Sequence, residues 1–204
     1  MPTLSELLDR SAVLHNHLCP RQVLGVRMGL YAGTVLGLEL PQQDEKRLFV
    51  FMETDGCGAD GVSVASGCWP GRRTMRMIDY GKMAATFVDT QTSRAVRIVP
   101  HPESRERALK YGPEGESSWK GQLIGYQIMP AEEMFMVQPV ELTVSLAAII
   151  SRHGMRTACQ RCGEEIINER EVTVNGEVLC RACAGDAYYR LAVSEAAQAA
   201  SARD

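Results

Sequence analysis

Residues 47–99 read RLFVFMETDGCGADGVSVASGCWPGRRTMRMIDYGKMAATFVDTQTSRAVRIV. Four runs in this stretch, 47–53, 74–78, 83–88 and 94–99, are rich in β-branched, aromatic and other apolar residues. Runs of that composition between Gly, Asp and Ser clusters predict strands. Tyr80-Gly81-Lys82 and the segment 91–93 predict turns between strands, and the simplest arrangement is an antiparallel meander. Residues 60–66 interrupt the strands as a short helix closed by Gly67.

On the N-terminal side, Thr3 and Glu6 have capping-box spacing and open a first helix, with Leu4, Leu7, Leu8 and Leu14 on its apolar side. That helix ends near His15-Asn16-His17-Leu18-Cys19-Pro20. A residue before proline is pushed toward extended conformations, so Cys19 is non-helical, and Pro20 suits the first position of a second helix. In that helix Gly25, Gly29, Gly33 and Gly37 recur every four residues. Each interior glycine costs about 1 kcal/mol against alanine, so the stripe implies close approach to another helix or a sheet. Gln22, Arg27 and Glu39 argue against a membrane glycine zipper, and Gly37 alternatively serves as the C-cap. On the C-terminal side, helices are expected over 104–111 and 117–127, separated by Gly112-Pro113, and a final strand and linker over 139–155. The expected fold is α+β, an antiparallel sheet with packed helices over 1–150, plus a small C-terminal zinc-binding domain.

That second domain rests on Cys159-x2-Cys162 and Cys180-x2-Cys183, with 17 residues between the pairs. The spacing is that of zinc ribbons and treble clefs, in which two knuckles complete one tetrahedron of thiolates. Asn175-Gly176 marks a hairpin over 172–178, and helix is expected after Cys180 through Ala182, Ala187, Tyr188, Leu191 and Ala196. Knuckle, hairpin and helix are in treble-clef order, so 157–204 is expected to be a treble-clef zinc finger with a C-terminal helix. All four coordination positions come from protein, which makes this zinc structural. In a module with so little core, the metal supplies much of the stability.

Composition narrows the function classes. With 204 residues and 45% hydrophobic content the chain can bury a substantial core. The first residues carry Glu6, Asp9 and Arg10 and no apolar leader run, and the greasy stretch at 144–150 is too short for a bilayer. The expectation is a soluble, cytoplasmic chain without membrane contact. Seven cysteines, an odd number with four in CxxC pairs, argue for metal-binding thiols over a disulfide framework. The net charge is −3, and from Thr157 onward five basic residues face eight acidic ones. That balance opposes phosphate binding, so the finger is expected to contact a protein partner or brace a dimer rather than bind nucleic acid.

His15, His17 and Cys19 alternate, and on an extended segment such residues project to one side. Cys19 precedes a helix N-terminus, which favours thiolate. Cys57, in the glycine-flanked loop 55–58, is a further ligand candidate, and Cys68 and Asp60 are others. Imidazole with thiolate suits zinc or another late transition metal. The alternative is a capping histidine with inert core cysteines.

His-x-His-x-Cys-Pro at 15–20, the glycine-bearing helix after it, Cys57-x2-Asp60, Gly67-Cys68 and Asp79-Tyr80-Gly81-Lys82-Met83-Ala84-Ala85-Thr86-Phe87 together resemble the E-subunit family of formylmethanofuran dehydrogenase. The resemblance covers roughly residues 5–142, and some members similarly carry a C-terminal treble-clef finger. It implies an α+β core, an intertwined homodimer, and a cluster at His15, His17, Cys19, Cys57, Asp60, Cys68 and Lys82. Where the family usually has glycine after Cys-Pro, Arg21 stands here, a cation able to alter access or bind an anion; Arg72, Arg73 and Arg76 are further cations nearby in sequence. Two functions follow. In the first, the chain is a metal-binding protein or small metalloenzyme of molybdenum/tungsten formylmethanofuran dehydrogenase-type metabolism. A second transition metal is then held by His17, Cys19 and Cys57 with His15 as fourth ligand or orienter, and Asp60 or Lys82 transfers protons. In the second, the chain is a non-catalytic adaptor that senses metal or regulates through its finger.

Overall fold

The computed structural model describes residues 1–43 and 46–192. The chain divides into two compact units, Met1–Val144 and a second that begins at Ser145.

The first unit opens with α1 (Leu4–His15) and α2 (Pro20–Leu36). The Thr3 hydroxyl accepts from the Glu6 amide, and the Glu6 carboxylate accepts from the Thr3 amide at 2.7 Å, which is the expected capping box. Leu7 and Leu8 are buried, while Leu14 is exposed. Cys19 is extended (φ −127°, ψ 161°), Pro20 starts α2, and Gly37 ends it in the left-handed conformation.

Strand β1 (Leu48–Met52), helix α3 (Cys57–Ser66) and strand β2 (Met75–Met77) follow, then β3 (Ala85–Asp89) and β4 (Ala95–Pro100). Next come α4 (Ser104–Leu109), α5 (Ser118–Ile128), α6 (Ala131–Met134) and β5 (Phe135–Pro139). The sheet order is β2-β1-β3-β4-β5. Three of its four pairings are antiparallel, but β1 and β2 are parallel, with Val50 opposite Met75. The expected meander therefore fails at β2. Helix α3 carries the chain back across the sheet, so β2 starts at the same end as β1, and a parallel pair requires such a crossover. Residues 80–82 then do not join neighbouring strands. They pass the end of β1, where the Tyr80 and Lys82 amides donate to the Glu53 carbonyl at 2.9 and 3.1 Å. The last strand falls at 135–139, ahead of the expected 139–155, because the four-residue α6 had no signal of its own.

All five residues of β1 are buried, as a strand with neighbours on both edges should be. Leu48, Val50 and Met52 join the α2 and α3 side chains in the main core. Full burial of each stabilises the fold by about 1.5–3 kcal/mol. The glycine stripe explains how the helices fit. A Cβ on Gly25 would lie 2.3 Å from the Gly58 carbonyl oxygen, and one on Gly61 2.4 Å from that of Gln22. Gly29 meets Ala65, and Gly33 meets the chain's own Leu38 and Leu40. Arg27, on α2, donates to the carbonyls of Tyr126, Gln127 and Met129 at 2.7–3.0 Å, placing a cation at the C-terminal end of α5.

The second unit begins with α7 (Leu146–Ile150), capped by Ser145, where the sequence predicts strand and linker. Hairpin β6 (Arg156–Ala158)–β7 (Glu165–Ile167) carries the first knuckle at its turn. Hairpin β8 (Val172–Val174)–β9 (Glu177–Leu179) turns at Asn175 and Gly176, both at positive φ as a type I′ turn requires. The second knuckle runs into one π-helical turn, Ala182–Asp186. Within the described residues the longer helix expected there does not form: Gly185 adopts φ 107°, which breaks it, and residues 187–192 are not helical. Ala196 lies outside the described residues. Among the described residues no helix is long and apolar enough to cross a membrane.

Candidate functional site

The close contact of α2 with α3 brings two helix N-termini together. Cys19 is the N-cap of α2 and Cys57 is the first residue of α3. The preceding residue, Gly56, has φ 78°, a conformation that side chains resist. Met83 packs on Gly58, which fixes the 79–84 segment against the same corner.

His15 ends α1 and is helical, and Asn16 is left-handed (φ 58°). The segment is therefore not extended at 15–16, and the expected alternation of His15, His17 and Cys19 is lost. His15 turns inward: its Nδ1 lies 2.8 Å from Asp60 Oδ2 and its Nε2 3.1 Å from Cys57 Sγ. The Cys57 thiol also contacts the Cys19 thiol, and burial followed by that contact pushes it above its ordinary range. His17 is exposed, with Nδ1 2.9 Å from the His15 carbonyl oxygen. Asp60, His15, Cys57 and Cys19 thus form one chain of contacts.

No third His, Cys, Asp or Glu donor among the described residues lies within 4.8 Å of both Cys57 Sγ and His15 Nε2. Imidazole plus two thiols is nevertheless a donor set suited to a late transition metal, and the carboxylate behind the imidazole is the usual partner of a ligating histidine. Cys68 stands apart, at the far end of α3. It is buried, contacts Gln42 Nε2 at 3.1 Å and the Leu48 carbonyl at 3.3 Å, and burial raises its thiol to about 11. Lys82 sets its ammonium 6.0 Å from the Tyr80 ring centre and, with Cys19, lines a cavity of about 630 Å³.

Gln22 was not legible as a site residue. It is fully buried, accepts from the Cys19 amide at 2.8 Å and donates to the Ser11 carbonyl at 2.8 Å, which pins the 16–19 segment between α1 and α2. Its spacing three residues after the N-cap was the available signal.

In the second unit the four sulfurs of Cys159, Cys162, Cys180 and Cys183 all lie within 4.8 Å of one another. Backbone N–H groups, first those of Cys162 and Cys180, bring the Cys159 thiol down to about 6. Crowding by the other sulfurs, Cys180 first, pushes Cys183 up to about 12. A divalent cation resolves that conflict, and the donor set fits zinc.

Residues 14–136, more than half of the chain, match the family model described as "FmdE, Molybdenum formylmethanofuran dehydrogenase operon". The chain belongs to the FmdE family. Its FmdE domain is followed by a prokaryotic dksA/traR C4-type zinc finger over 154–189, which contains all four cysteines. The chain is also similar to a "Probable S-adenosyl-L-methionine-binding protein" of Archaeoglobus fulgidus, 29% identical over 91% of the chain. It spans about half, 54%, of that relative's length. The crystal structure of an FmdE-like protein from Syntrophus aciditrophicus, of the tungsten formylmethanofuran dehydrogenase type, shares the fold, with TM-score 0.57 and 18% identity. The match covers 93% of this chain and 96% of that one.

Proposed function

We propose that the FmdE domain is a transition-metal protein of molybdenum/tungsten formylmethanofuran dehydrogenase-type metabolism, with His15, Cys19 and Cys57 as the core ligands. The observation that carries this reading is the contact chain from Asp60 Oδ2 through His15 to Cys57 Sγ, at 2.8 and 3.1 Å. Asp60 holds the imidazole in one orientation and leaves Nε2 for the metal. A metal there would supply Lewis-acid chemistry. Lys82, on the cavity wall beside Cys19, is the group placed to move a proton, while Asp60 is engaged with His15. The finger, fully ligated by protein, contributes structure and a surface for a protein partner.

Titration of the full chain with zinc, nickel or cobalt is expected to fill one site beyond the C-terminal one. Cys57→Ser removes it, and Asp60→Asn weakens it by about 10–100-fold. Equal stoichiometry in the native chain and Cys57→Ser would leave the adaptor reading in its place. The Archaeoglobus relative raises S-adenosyl-L-methionine as a ligand for this chain too. The cavity beside Cys19 carries Arg21, Lys82 and Arg105, whose charge opposes a sulfonium cation.

A further inference from the structure

We propose that the cavity beside Cys19 binds a small organic anion that carries a planar ring. Its volume of about 630 Å³ suits a small ligand. Three basic side chains line it, Arg21, Lys82 and Arg105, and no aspartate or glutamate does. None of the three forms a salt bridge among the described residues, although the chain as a whole carries a net charge of −3. One sign of charge gathered in a concave, partly apolar wall focuses its field on whatever enters. The first turn of the 17-residue α2, at Cys19, Pro20 and Arg21, forms part of the wall and adds the positive end of its dipole.

The ring requirement comes from Trp119. It lines the same cavity with 53% of its surface exposed, and Leu24, Met83 and Val99 supply further apolar wall. An exposed indole beside guanidinium groups offers a stacking face next to an anion clamp. Uncharged aromatic ligands would leave the cations unused, and inorganic anions would leave the indole bare. That the anion is the molecule handled by the neighbouring thiols rests on the metal reading above; anion binding itself does not.

The test is calorimetric and fluorescence titration of the full chain with four probes. AMP presents ring and phosphate, benzene-1,3,5-tricarboxylate presents ring and carboxylates, adenosine presents the ring alone, and inorganic phosphate the charge alone. At least one of the two ring-bearing anions is expected to bind at or below about 1 mM, the weakest range such a clamp should reach. Whichever binds more tightly identifies the anionic group. Adenosine and phosphate are expected to bind roughly tenfold or more weakly, as loss of charge-assisted contacts or of stacking requires. Arg21→Gln combined with Arg105→Gln, both at exposed positions, is expected to weaken the anion by roughly tenfold or more with an unchanged circular dichroism spectrum. Trp119→Phe is expected to abolish the fluorescence response, which Trp69 alone would not give. Binding should persist in Cys57→Ser, so that loss of metal and loss of anion report on different groups. The proposal is overturned if neither ring-bearing anion binds at about 1 mM. Adenosine matching AMP, or the double variant retaining full affinity, overturns it equally.

Discussion

Cys57 and Cys68 share one helix and its C-terminal flank yet have different surroundings. Cys57 meets an imidazole and a second thiol, whereas Cys68 meets the Ser66 and Thr74 hydroxyls, the Gln42 amide and backbone oxygens within the core. Burial raises Cys68 to about 11. At pH 8 about one Cys68 in a thousand is then thiolate, and the thiolate is the nucleophile. Iodoacetamide applied to the native chain at pH 8 should leave Cys68 unmodified, and modification should require urea; peptide mass spectrometry checks both. The same shift has a linkage consequence. An unfolded cysteine ionises near about 8.5, so between there and about 11 the unfolded chain releases a proton that the folded chain keeps. Stability should fall as pH rises through that window, and Cys68→Ala should flatten the fall, read as urea midpoints at pH 8 and 10.

At the scale of elements, the α2–α3 contact decides where the chemistry lies. Gly25 and Gly61 face each other so closely that a Cβ on either would meet backbone atoms at 2.3–2.4 Å. Backbone cannot turn aside as a side chain can. Gly25→Ala should therefore cost about 1–3 kcal/mol by overpacking, against a gain of about 1 kcal/mol in helix propensity. Thermal unfolding should show a net loss, at about 2–4 °C per kcal/mol. The substitution should also separate Cys19 from Cys57, so core metal affinity should fall with it. Gly37→Ala, where a Cβ meets nothing within 4 Å, is the control. There the penalty is the left-handed backbone alone, about 1 kcal/mol, and the core metal should be unaffected.

For the whole molecule, the two units depend on different forces. The first buries a large apolar core, while the second, among the described residues, has a core of Cys159, Ile166 and Leu179 with a few flanking side chains. Chelation of zinc, or Cys162→Ser, should make residues 157–192 protease-sensitive while 1–144 stays intact, as limited proteolysis with mass spectrometry would show. A homodimer, the assembly implied by the family resemblance, has to use some face other than the stripe at Gly25, Gly29 and Gly33, which is filled by the chain's own α3 and by Leu38 and Leu40. Light scattering at micromolar concentration should give twice the chain's 22.4 kDa; a value near 22.4 kDa would exclude the dimer.

What the sequence determined by itself was local. Capping at Thr3, the helix start at Pro20, four of the strands, the Asn175-Gly176 turn and the two CxxC knuckles of the zinc site each depend on residues a few positions apart, where backbone sterics and ligand spacing act directly. What only the tertiary structure decided depends on residues far apart in the chain. A short strand reads the same whether its neighbour is parallel or antiparallel, so the β1–β2 pairing waited on the path of α3. The inward turn of His15 depended on a left-handed Asn16 and on Asp60 arriving from another helix. The cavity joins Arg21, Lys82, Arg105 and Trp119 from separate elements that carry no shared periodicity, and only packing brings their charges and the indole to one wall.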